Sequence, residues 1–303
     1  MTKVLITGIT GFLGSHIAEN LIRDNVQVIG LKRANSDTWR CRDFEDRIEW
    51  IDFDKLDCWQ NSLVSKTSIT VIHCAWVGVE AQERDNWALQ SSNIDLLIKL
   101  FNLKSYINIE KFIIMGSQAE YGVVNSIVSE DFEVSPTNAY GYVKLACLQL
   151  LKGFSSQHRM KWLWLRVFSV FGEKENSNWL IPSMIKSMKD GVKMQFTLGE
   201  QKYAYLYAND FSKLIGKLVL NDVSAGVYNI SSNQVMQLKS LIEFIRDEVN
   251  PNYNLNFGSI PYRDNQSMHI EGDIRKLMGE IGPFEFTDFN VALSNTIDYY
   301  ISN

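Results

Sequence analysis

The sequence predicts an α/β protein with a doubly wound parallel sheet, and two observations support this prediction. Short apolar runs alternate with segments of helical periodicity through the first 172 residues, a pattern typical of a parallel sheet covered by helices on both faces. The first apolar run ends in a glycine-rich turn that leads directly into a helical segment. We therefore expect a large α/β domain, followed by a smaller lobe.

The predicted elements follow from the spacing of apolar side chains. Runs of Val, Ile and Leu bounded by polar residues or glycine indicate buried strands. They are residues 4–6, 26–31, 49–52, 70–73, 111–115, 162–167 and 227–230. Apolar side chains at helical spacing predict helices over residues 15–23, 89–103, 139–151 and 238–247.

The regular alternation ends after Gly172, and residues 173–204 are irregular and amphipathic. We expect two domains of unequal size. Residues 1–172 and about 205–235 are assigned to the nucleotide-binding domain, and residues 173–204 and 236–303 to a substrate-binding lobe.

The composition argues against several classes of protein. A net charge of −5 and the absence of a basic run argue against nucleic-acid binding. No apolar run reaches the roughly 18 residues of a membrane span, and the N-terminus lacks a signal-peptide pattern, so a cytoplasmic protein is expected. The cysteines have no metal-ligand spacing with the histidines, which predicts reduced thiols and no metal site. They are Cys41, Cys58, Cys74 and Cys147.

The glycine-rich turn TGITGFLG, residues 7–14, predicts a dinucleotide site. Glycines at this spacing between a strand and a helix permit a tight turn, close approach of a pyrophosphate and close helix packing. The first helical N–H groups then face the phosphates. The turn therefore predicts a Rossmann-type domain, with cofactor contacts from Gly8, Thr10, Gly11, Phe12, Leu13 and Gly14.

The end of the second strand favours NADPH over NADH. An acidic residue that binds the ribose hydroxyls of NAD is usual here, but this chain has Lys32 and Arg33. A guanidinium binds a 2′-phosphate in bidentate fashion; the alternative is a solvated basic loop. Further residues assigned to the cofactor site are Ser36, Asp52 and Phe53, with Arg40 and Arg42 near the phosphate.

Tyr140 and Lys144 lie at i and i+4, on one face of a predicted helix. The pair alone is common on ordinary helices. Together with Ser117 and the turn at 7–14, however, it resembles the short-chain dehydrogenase/reductase superfamily. The chain length and the lobe after Gly172 are similar to its extended branch, the NAD-dependent epimerase/dehydratase family, which acts on nucleotide-diphosphate sugars. The resembling segments also include GSQAEYG at 116–122 and LRVFSVFG at 165–172.

The resemblance implies a chemistry for these residues. Tyr140 transfers a proton while hydride moves between nicotinamide and a sugar carbon, and Ser117 hydrogen-bonds the same oxygen. Lys144 binds the nicotinamide ribose and, with the oxidised cofactor, lowers the phenol pKa from about 10. The resemblance also implies cofactor contacts from Cys74, Ala75 and Asn93.

The residues after Ser117 discriminate among the reactions of the resembling enzymes. Dehydratases carry an Asp-Glu pair where this chain has Gln118 and Ala119, and Glu120 lies one place too far along. Four-epimerases hold NAD tightly, which fits Lys32 and Arg33 poorly. We expect an NADPH-dependent 4-keto reductase of a nucleotide-linked 6-deoxy sugar, for bacterial surface polysaccharide such as O-antigen. The alternatives are an epimerase with tightly held NAD and a noncatalytic NADP-binding regulatory protein.

The resemblance further implies a substrate site and a homodimer. The expected substrate residues are Trp76, Ser117, Ser169, Asn178, Trp179 and Arg263, of which Asn178 and Arg263 are expected near the diphosphate. Trp76 and Trp179 also fit ordinary packing. Many members of the family have Arg-Asp where this chain has Tyr203 and Ala204, so the usual phosphate contact is missing. Apolar stripes on the helices at 89–103 and 139–151 suggest the dimer contact; the alternative is that these stripes face only the sheet.

Overall fold

The computed structural model describes residues 2–53 and 68–302. The strands of this part of the chain are β1 (Lys3–Thr7), β2 (Gln27–Lys32), β3 (Ile48–Asp52), β4 (Ile69–His73), β5 (Ile109–Ser117), β6 (Asn125–Val128), β7 (Lys161–Val167), β8 (Ser169–Phe171), β9 (Lys202–Tyr207), β10 (Gly226–Ile230), β11 (Val235–Gln237) and β12 (His269–Gly272). Its α-helices are α1 (Phe12–Arg23), α2 (Trp87–Asn102), α3 (Ala139–His158), α4 (Leu180–Lys189), α5 (Ala208–Leu220), α6 (Leu238–Val249), α7 (Arg275–Ile281) and α8 (Phe289–Ser302).

The main sheet has seven parallel strands in the order β10-β7-β5-β4-β1-β2-β3. This topology confirms the predicted doubly wound α/β fold. Successive side chains of a strand point to opposite faces: Val4 and Ile6 pack with α1, α5 and α7, whereas Leu5 packs with α2 and α3. The strand order reverses between β1 and β4. In sheets of this kind, ligands bind at the carboxyl ends of the strands where the order reverses.

The predicted strands and helices are all present, and most of their ends differ by one to three residues, although α3 runs to His158 rather than to residue 151. Four of the described helices were not predicted, namely α4, α5, α7 and α8. Residues 173–204 were predicted to be irregular. Within them α4 buries Ile181, Met184, Ile185 and Met188, which follow i, i+3, i+4, i+7 spacing. The amphipathic character of this segment was therefore the signal of a short helix.

A second sheet has the order β11-β9-β12-β6, with β8 paired to β9. It carries a separate core formed with α4, α6 and α8. β6 and β8 come from the range 1–172 that was assigned to the nucleotide-binding domain, and α7, from the range 236–303, packs with the main-sheet core. The chain thus passes between the two sheets more often than the predicted boundaries imply, because strands of three or four residues carry too little periodicity to be recognised.

Membrane-spanning helices and metal-binding clusters are both absent from the part of the chain that the structure describes. Helices long and apolar enough to cross a membrane do not occur in residues 2–53 and 68–302. In the same ranges, His, Cys, Asp and Glu side chains do not gather in groups of three that could hold a metal ion. Cys41, Cys74 and Cys147 are free thiols, and Cys58 lies outside the described residues.

A buried ion pair joins the carboxyl ends of β5 and β7. The side chains of Glu120 and Arg166 are 0% and 4% exposed, and Arg166 Nε donates to Glu120 Oε2 at 2.9 Å. The other carboxylate oxygen accepts bonds from the Ser117 N–H at 2.8 Å and from Trp164 Nε1 at 2.9 Å. Both oxygens are therefore satisfied, as a buried charge requires, and the carboxylate fixes the backbone at Ser117.

The same network reaches the second sheet. The Arg166 guanidinium lies 4.4 Å from the ring centroid of Tyr121. The Tyr121 hydroxyl donates to Asn229 Oδ1 of β10 at 2.7 Å, and Asn229 Nδ2 donates to the Val128 carbonyl of β6 at 2.8 Å. Buried polar groups thus hold the two sheets together behind the serine loop.

We expect Arg166→Met to destabilise the protein strongly, because it leaves the Glu120 carboxylate buried without its cation. Removing one partner of a buried pair costs about 3–5 kcal/mol. Urea unfolding followed by tryptophan fluorescence measures this loss. Arg275→Met is the matched control, since its ion pair with Asp273 is at the surface with Arg275 90% exposed, and it should leave the midpoint unchanged. Equal midpoints for the two variants would contradict the assigned role of the pair.

Candidate active site

A cavity of about 560 Å³ lies between the carboxyl end of the main sheet and the second sheet. This volume is within the range of small-molecule sites. Its wall includes Phe12 and Leu13 from the start of α1, and Ser117, Tyr140 and Lys144 from β5 and α3. The segments that the sequence analysis assigned to cofactor and catalysis therefore meet in one place.

The glycine turn fits a pyrophosphate. Gly8 has φ of +68°, and a Cβ there would lie 2.5 Å from the Ala75 nitrogen, while a Cβ on Gly14 would lie 2.2 Å from the Gly8 carbonyl oxygen. Gly11 precedes α1 and gives it no side-chain cap. The free N–H groups of the first turn therefore remain available for an anion.

The basic pair at the end of β2 lies at the edge of this turn. Lys32 Nζ is 5.9 Å from the centroid of the Trp50 ring, and the Arg33 N–H donates to Ser36 Oγ at 3.1 Å. Arg40, which was expected near the phosphate, donates to the Lys174 carbonyl at 2.7 Å and to the Thr10 carbonyl of the glycine turn at 3.5 Å. Arg40 therefore ties the cofactor side of the chain to the segment after β8.

The chain after β4 is fixed by Asn93, an expected cofactor residue. Its Oδ1 accepts a bond from the Val77 N–H at 2.8 Å, and its Nδ2 donates to the Val77 carbonyl at 3.1 Å. The side chain is buried and positions backbone rather than lining the cavity. Cys74 and Trp76, on either side of Ala75, line the cavity, and Trp76 is held by a 2.9 Å bond from Nε1 to Gln90 Oε1.

Tyr140 lies in the first turn of α3, whose N-cap Asn138 accepts a bond from the Gly141 N–H. Burial raises the pKa of the Tyr140 phenol, and a hydrogen bond with Ser117 and the positive charge of Arg84 oppose this rise. A lowered pKa was expected from Lys144 together with the charge of the oxidised cofactor, and for that state it stays a prediction. The opposing effect of burial was not foreseen, because burial is not visible in the spacing of residues.

Lys144 is buried, and its ammonium makes its nearest contacts with groups other than Tyr140. Its Nζ donates to the Met115 carbonyl at 2.7 Å and lies 3.4 Å from the centroid of the Trp76 ring, but 5.6 Å from that of Tyr140. Burial lowers the pKa of Lys144 to about 8. Both members of the pair are therefore shifted toward their neutral forms.

The residues after Ser117 differ in where they point. Gln118 and Ala119 line the cavity, whereas Glu120 is turned into its buried ion pair with Arg166. The acidic residue of this loop is therefore a structural group. The neutral positions are the ones that face the cavity.

The expected substrate residues divide into two groups. Trp76, Ser169 and Trp179 line the cavity together with Ser117. The side chains of Asn178 and Arg263 are exposed and are not part of the cavity wall. These two assignments came only from matching positions in the family, so they stay predictions that the geometry does not support.

Several residues of the cavity wall were not predicted, among them the polar side chains of Arg84, Glu175 and Tyr205. Glu175 is 7% exposed and its Oε2 has no hydrogen-bond partner among the described residues. Burial raises the pKa of Glu175 to about 8, although a bond from the Gly172 backbone opposes the rise. Arg84 and Glu175 lie in loops without periodicity, and Tyr205 is one of several aromatic residues of β9. The sequence therefore carried no signal that would have marked any of the three.

Comparison with known proteins identifies the family. A sequence profile of the NAD dependent epimerase/dehydratase family matches residues 4–231, which is most of the chain, and the protein belongs to this family. It is 24% identical to CDP-abequose synthase of Salmonella muenchen over 88% of this chain and 87% of that one. It is 23% identical to dTDP-4-dehydro-6-deoxyglucose reductase of Escherichia coli, with 92% and 91% covered.

The fold is likewise similar to solved structures. A UDP-N-acetylglucosamine 4-epimerase from Methanobrevibacter ruminantium, in complex with UDP-N-acetylmuramic acid, superposes with a TM-score of 0.87 at 25% identity. The alignment covers 99% of this chain and 98% of that one. These relatives carry names of nucleotide-sugar enzymes that perform different reactions, so the family fixes the general chemistry more firmly than the reaction.

We expect Glu175→Gln to change how stability depends on pH. Between about pH 4.5 and pH 8, Glu175 keeps its proton in the folded state and loses it in the unfolded state. The folded state then binds more protons, so the free energy of unfolding falls as pH rises through this window, by about 1.4 kcal/mol per unit of raised pKa. Glutamine has no proton to lose, so the variant should lack this fall.

Urea unfolding of both proteins at several pH values across this window measures the difference. Glu110→Gln, at an exposed position of β5, is the matched control and should follow the wild type. The same pH dependence in wild type and Glu175→Gln would show that Glu175 is ionised in the fold.

Proposed function

We propose that this member of the NAD dependent epimerase/dehydratase family is an NADPH-dependent reductase of a nucleotide-diphosphate-linked 4-keto-6-deoxy sugar, acting in the cytoplasm in deoxysugar synthesis for surface polysaccharide. One observation carries the proposal. The half-buried Tyr140, whose phenol pKa is raised by desolvation, faces a cavity beside Ser117, and the two following positions in that wall are the neutral Gln118 and Ala119.

The neutral wall argues against dehydration. Loss of water across neighbouring carbons needs an acid to protonate the leaving hydroxyl and a base to remove a proton. Gln118 and Ala119 supply neither, and the Glu120 carboxylate is bonded to Ser117, Trp164 and Arg166. The loop is therefore suited to a reaction that needs only the phenol and the serine hydroxyl.

The raised pKa of Tyr140 favours the reductive direction. A phenol that stays protonated at neutral pH can donate a proton to the oxygen of a carbonyl as that carbonyl is reduced. Ser117 can hydrogen-bond the same oxygen and stabilise its developing negative charge. The bound nicotinamide supplies the hydride. Epimerisation requires Tyr140 first as a base, a role that burial opposes.

The cofactor proposal rests on Lys32 and Arg33. Their positive charges follow β2, at the edge of the glycine turn, where a carboxylate would repel a 2′-phosphate. Residues in the cofactor role are those of the turn at 7–14, with Lys144 at the nicotinamide ribose. The name of the Escherichia coli relative, a 4-dehydro-6-deoxyglucose reductase, agrees with this reaction class.

The second candidate is a nucleotide-sugar 4-epimerase. It is favoured by the similarity to the Methanobrevibacter ruminantium 4-epimerase at a TM-score of 0.87. Such an enzyme would retain NAD through purification and consume no NADPH overall. The two candidate functions therefore differ in the net consumption of NADPH, which is simple to measure.

We also propose a homodimer through α2 and α3, which pack beside each other. Large apolar side chains lie exposed on these helices, among them Trp87 at 59%, Tyr142 at 48% and Ile98 at 43% exposure. Of these, Trp87 and Tyr142 stack on each other, and grouped exposed apolar side chains are typical of association sites.

We expect the purified protein to oxidise NADPH when given one member of a panel of CDP-, dTDP-, GDP- and UDP-linked 4-keto-6-deoxy sugars. Loss of NADPH absorbance measures the reaction and identifies the nucleotide. Tyr140→Phe should lower the rate by about 100-fold to 10,000-fold, because the proton donor is lost, while NADPH binding by fluorescence titration is retained.

Tyr142→Phe is the matched control, since Tyr142 lies two residues along the same helix but is 48% exposed and stacks on Trp87. It should keep full activity. Undiminished turnover in Tyr140→Phe would overturn the mechanism, and NAD that co-purifies without NADPH use would favour the epimerase.

We expect Arg33→Asp to weaken NADPH selectively. Loss of a charge-assisted bond to the 2′-phosphate, with a repelling carboxylate in its place, should raise the KM for NADPH about tenfold or more. NADH has no 2′-phosphate, so its KM is the internal control and should change little. Equal changes for both cofactors would place Arg33 outside the phosphate site.

A further inference from the structure

The segment between β4 and α2 covers the start of the catalytic helix. The first N–H groups of a helix have no partner within the helix. Here the Tyr140 N–H donates to the Arg84 carbonyl at 2.8 Å, and the Ala139 N–H donates to Asp85 Oδ1 at 3.4 Å. The backbone of Arg84 is thereby tied to the residue that carries the phenol.

The side chain of Arg84 follows its backbone to Tyr140. Its guanidinium carbon is 5.1 Å from the centroid of the Tyr140 ring. Arg84 Nε donates to the Val79 carbonyl at 3.1 Å, which fixes the side chain in this direction. Arg84 is half-buried and lines the same cavity as Tyr140.

No acidic partner neutralises this cation within residues 2–53 and 68–302, where Arg84 forms no ion pair. The carboxylates nearest in sequence bond elsewhere: Glu83 accepts from the Glu80 N–H, and Asp85 caps α3. The guanidinium is always charged. Its field in the half-buried cavity therefore acts on the phenol with less screening than at the surface.

We propose that Arg84 is a positioning residue that stabilises the negative charge on Tyr140 when the phenol gives up its proton. The inference rests on the proposed function, in which Tyr140 transfers that proton, and extends it to a residue outside the Ser117, Tyr140 and Lys144 set. Lys144 Nζ lies 5.6 Å from the centroid of the Tyr140 ring, but its hydrogen bond goes to the Met115 carbonyl and it lies closer to the Trp76 ring.

The other groups around Tyr140 do not replace Arg84. Ser117 offers a neutral hydrogen bond, Glu120 carries a negative charge that disfavours the phenolate, and Trp76 meets the ring edge-on at a centroid distance of 5.9 Å. Glu175 and Tyr205 line the same cavity but hold no positive charge. Arg84 and Lys144 are therefore the cations at the phenol among the described residues, and Arg84 is the one that counteracts the effect of burial on its pKa.

The test compares Arg84→Gln with Arg84→Lys in the pH dependence of NADPH oxidation by the full chain, using the substrate identified in the panel. The rate of reduction falls at high pH as Tyr140 loses its proton. An opposite charge within about 4–6 Å lowers a pKa by about one to three units, so the half-buried Arg84 is expected to contribute about one. Arg84→Gln should move the alkaline limb upward by about one pH unit, and Arg84→Lys should move it little.

A second readout needs neither cofactor nor substrate. Tyrosinate absorbance is titrated in the wild type and in Arg84→Gln, and the signal of the corresponding Tyr140→Phe protein is subtracted, which isolates Tyr140. Its titration should shift upward in Arg84→Gln. Arg275→Gln, at an exposed ion pair, is the control and should leave the titration unchanged.

Three results would overturn the inference. An unshifted titration with a raised substrate KM in Arg84→Gln would make Arg84 a phosphate-binding residue. Equal upward shifts in Arg84→Gln and Arg84→Lys would indicate that the positive charge of residue 84 is not what lowers the pKa of Tyr140. If Tyr140→Phe keeps both the activity and the alkaline limb, the proposed function itself fails, and this outcome is distinguishable from the other two.

Discussion

The burial of the Glu120 carboxylate is the constraint on which the rest of the site depends. A charge in the interior is tolerated only while Arg166, Trp164 and the Ser117 N–H all reach it. These donors come from β5 and β7, so both strands must keep their register as far as their carboxyl ends. A Cβ on Gly116 would lie 2.2 Å from Trp164 Nε1, so the network leaves room only for glycine there. The interior of the sheet, rather than the loop itself, therefore sets the position of the serine.

Burial also explains the electrostatic character of the cavity. It raises the pKa values of Tyr140 and Glu175 and lowers that of Lys144. A single physical cause thus shifts three titratable groups toward their neutral forms. Arg84 does not titrate in the accessible pH range and remains charged. The phenol therefore lies beside two cations, Arg84 and Lys144, of which only Lys144 has a pKa near neutral pH. This charge suits the transfer of a proton to an oxygen that becomes negative.

Much of this arrangement could be predicted from the sequence. Apolar runs and helical spacing gave the main sheet, and the turn at 7–14, Ser117, Tyr140 and Lys144 meet around one cavity as strand ends of a parallel sheet should. The contributions of Arg84 and Glu175 could not be predicted, because each comes from a loop whose approach depends on tertiary packing. The direction of the Tyr140 pKa shift could not be predicted from the sequence either. Desolvation depends on which groups cover the ring, and the spacing of Tyr140 and Lys144 does not show this.

The second sheet takes its strands from five separate stretches of the chain: 125–128, 169–171, 202–207, 235–237 and 269–272. Between them the chain returns to the main sheet at β7 and β10. Contacts of such long sequence separation form late in folding, because the loops that join them must close first. The second sheet, which covers the cavity, therefore depends on the main sheet for its formation and does not correspond to one contiguous segment of the chain. A chimaera that takes one contiguous segment from a relative would carry only some of the strands of this sheet from that relative. Substrate preference therefore has to be exchanged by replacing the strands individually.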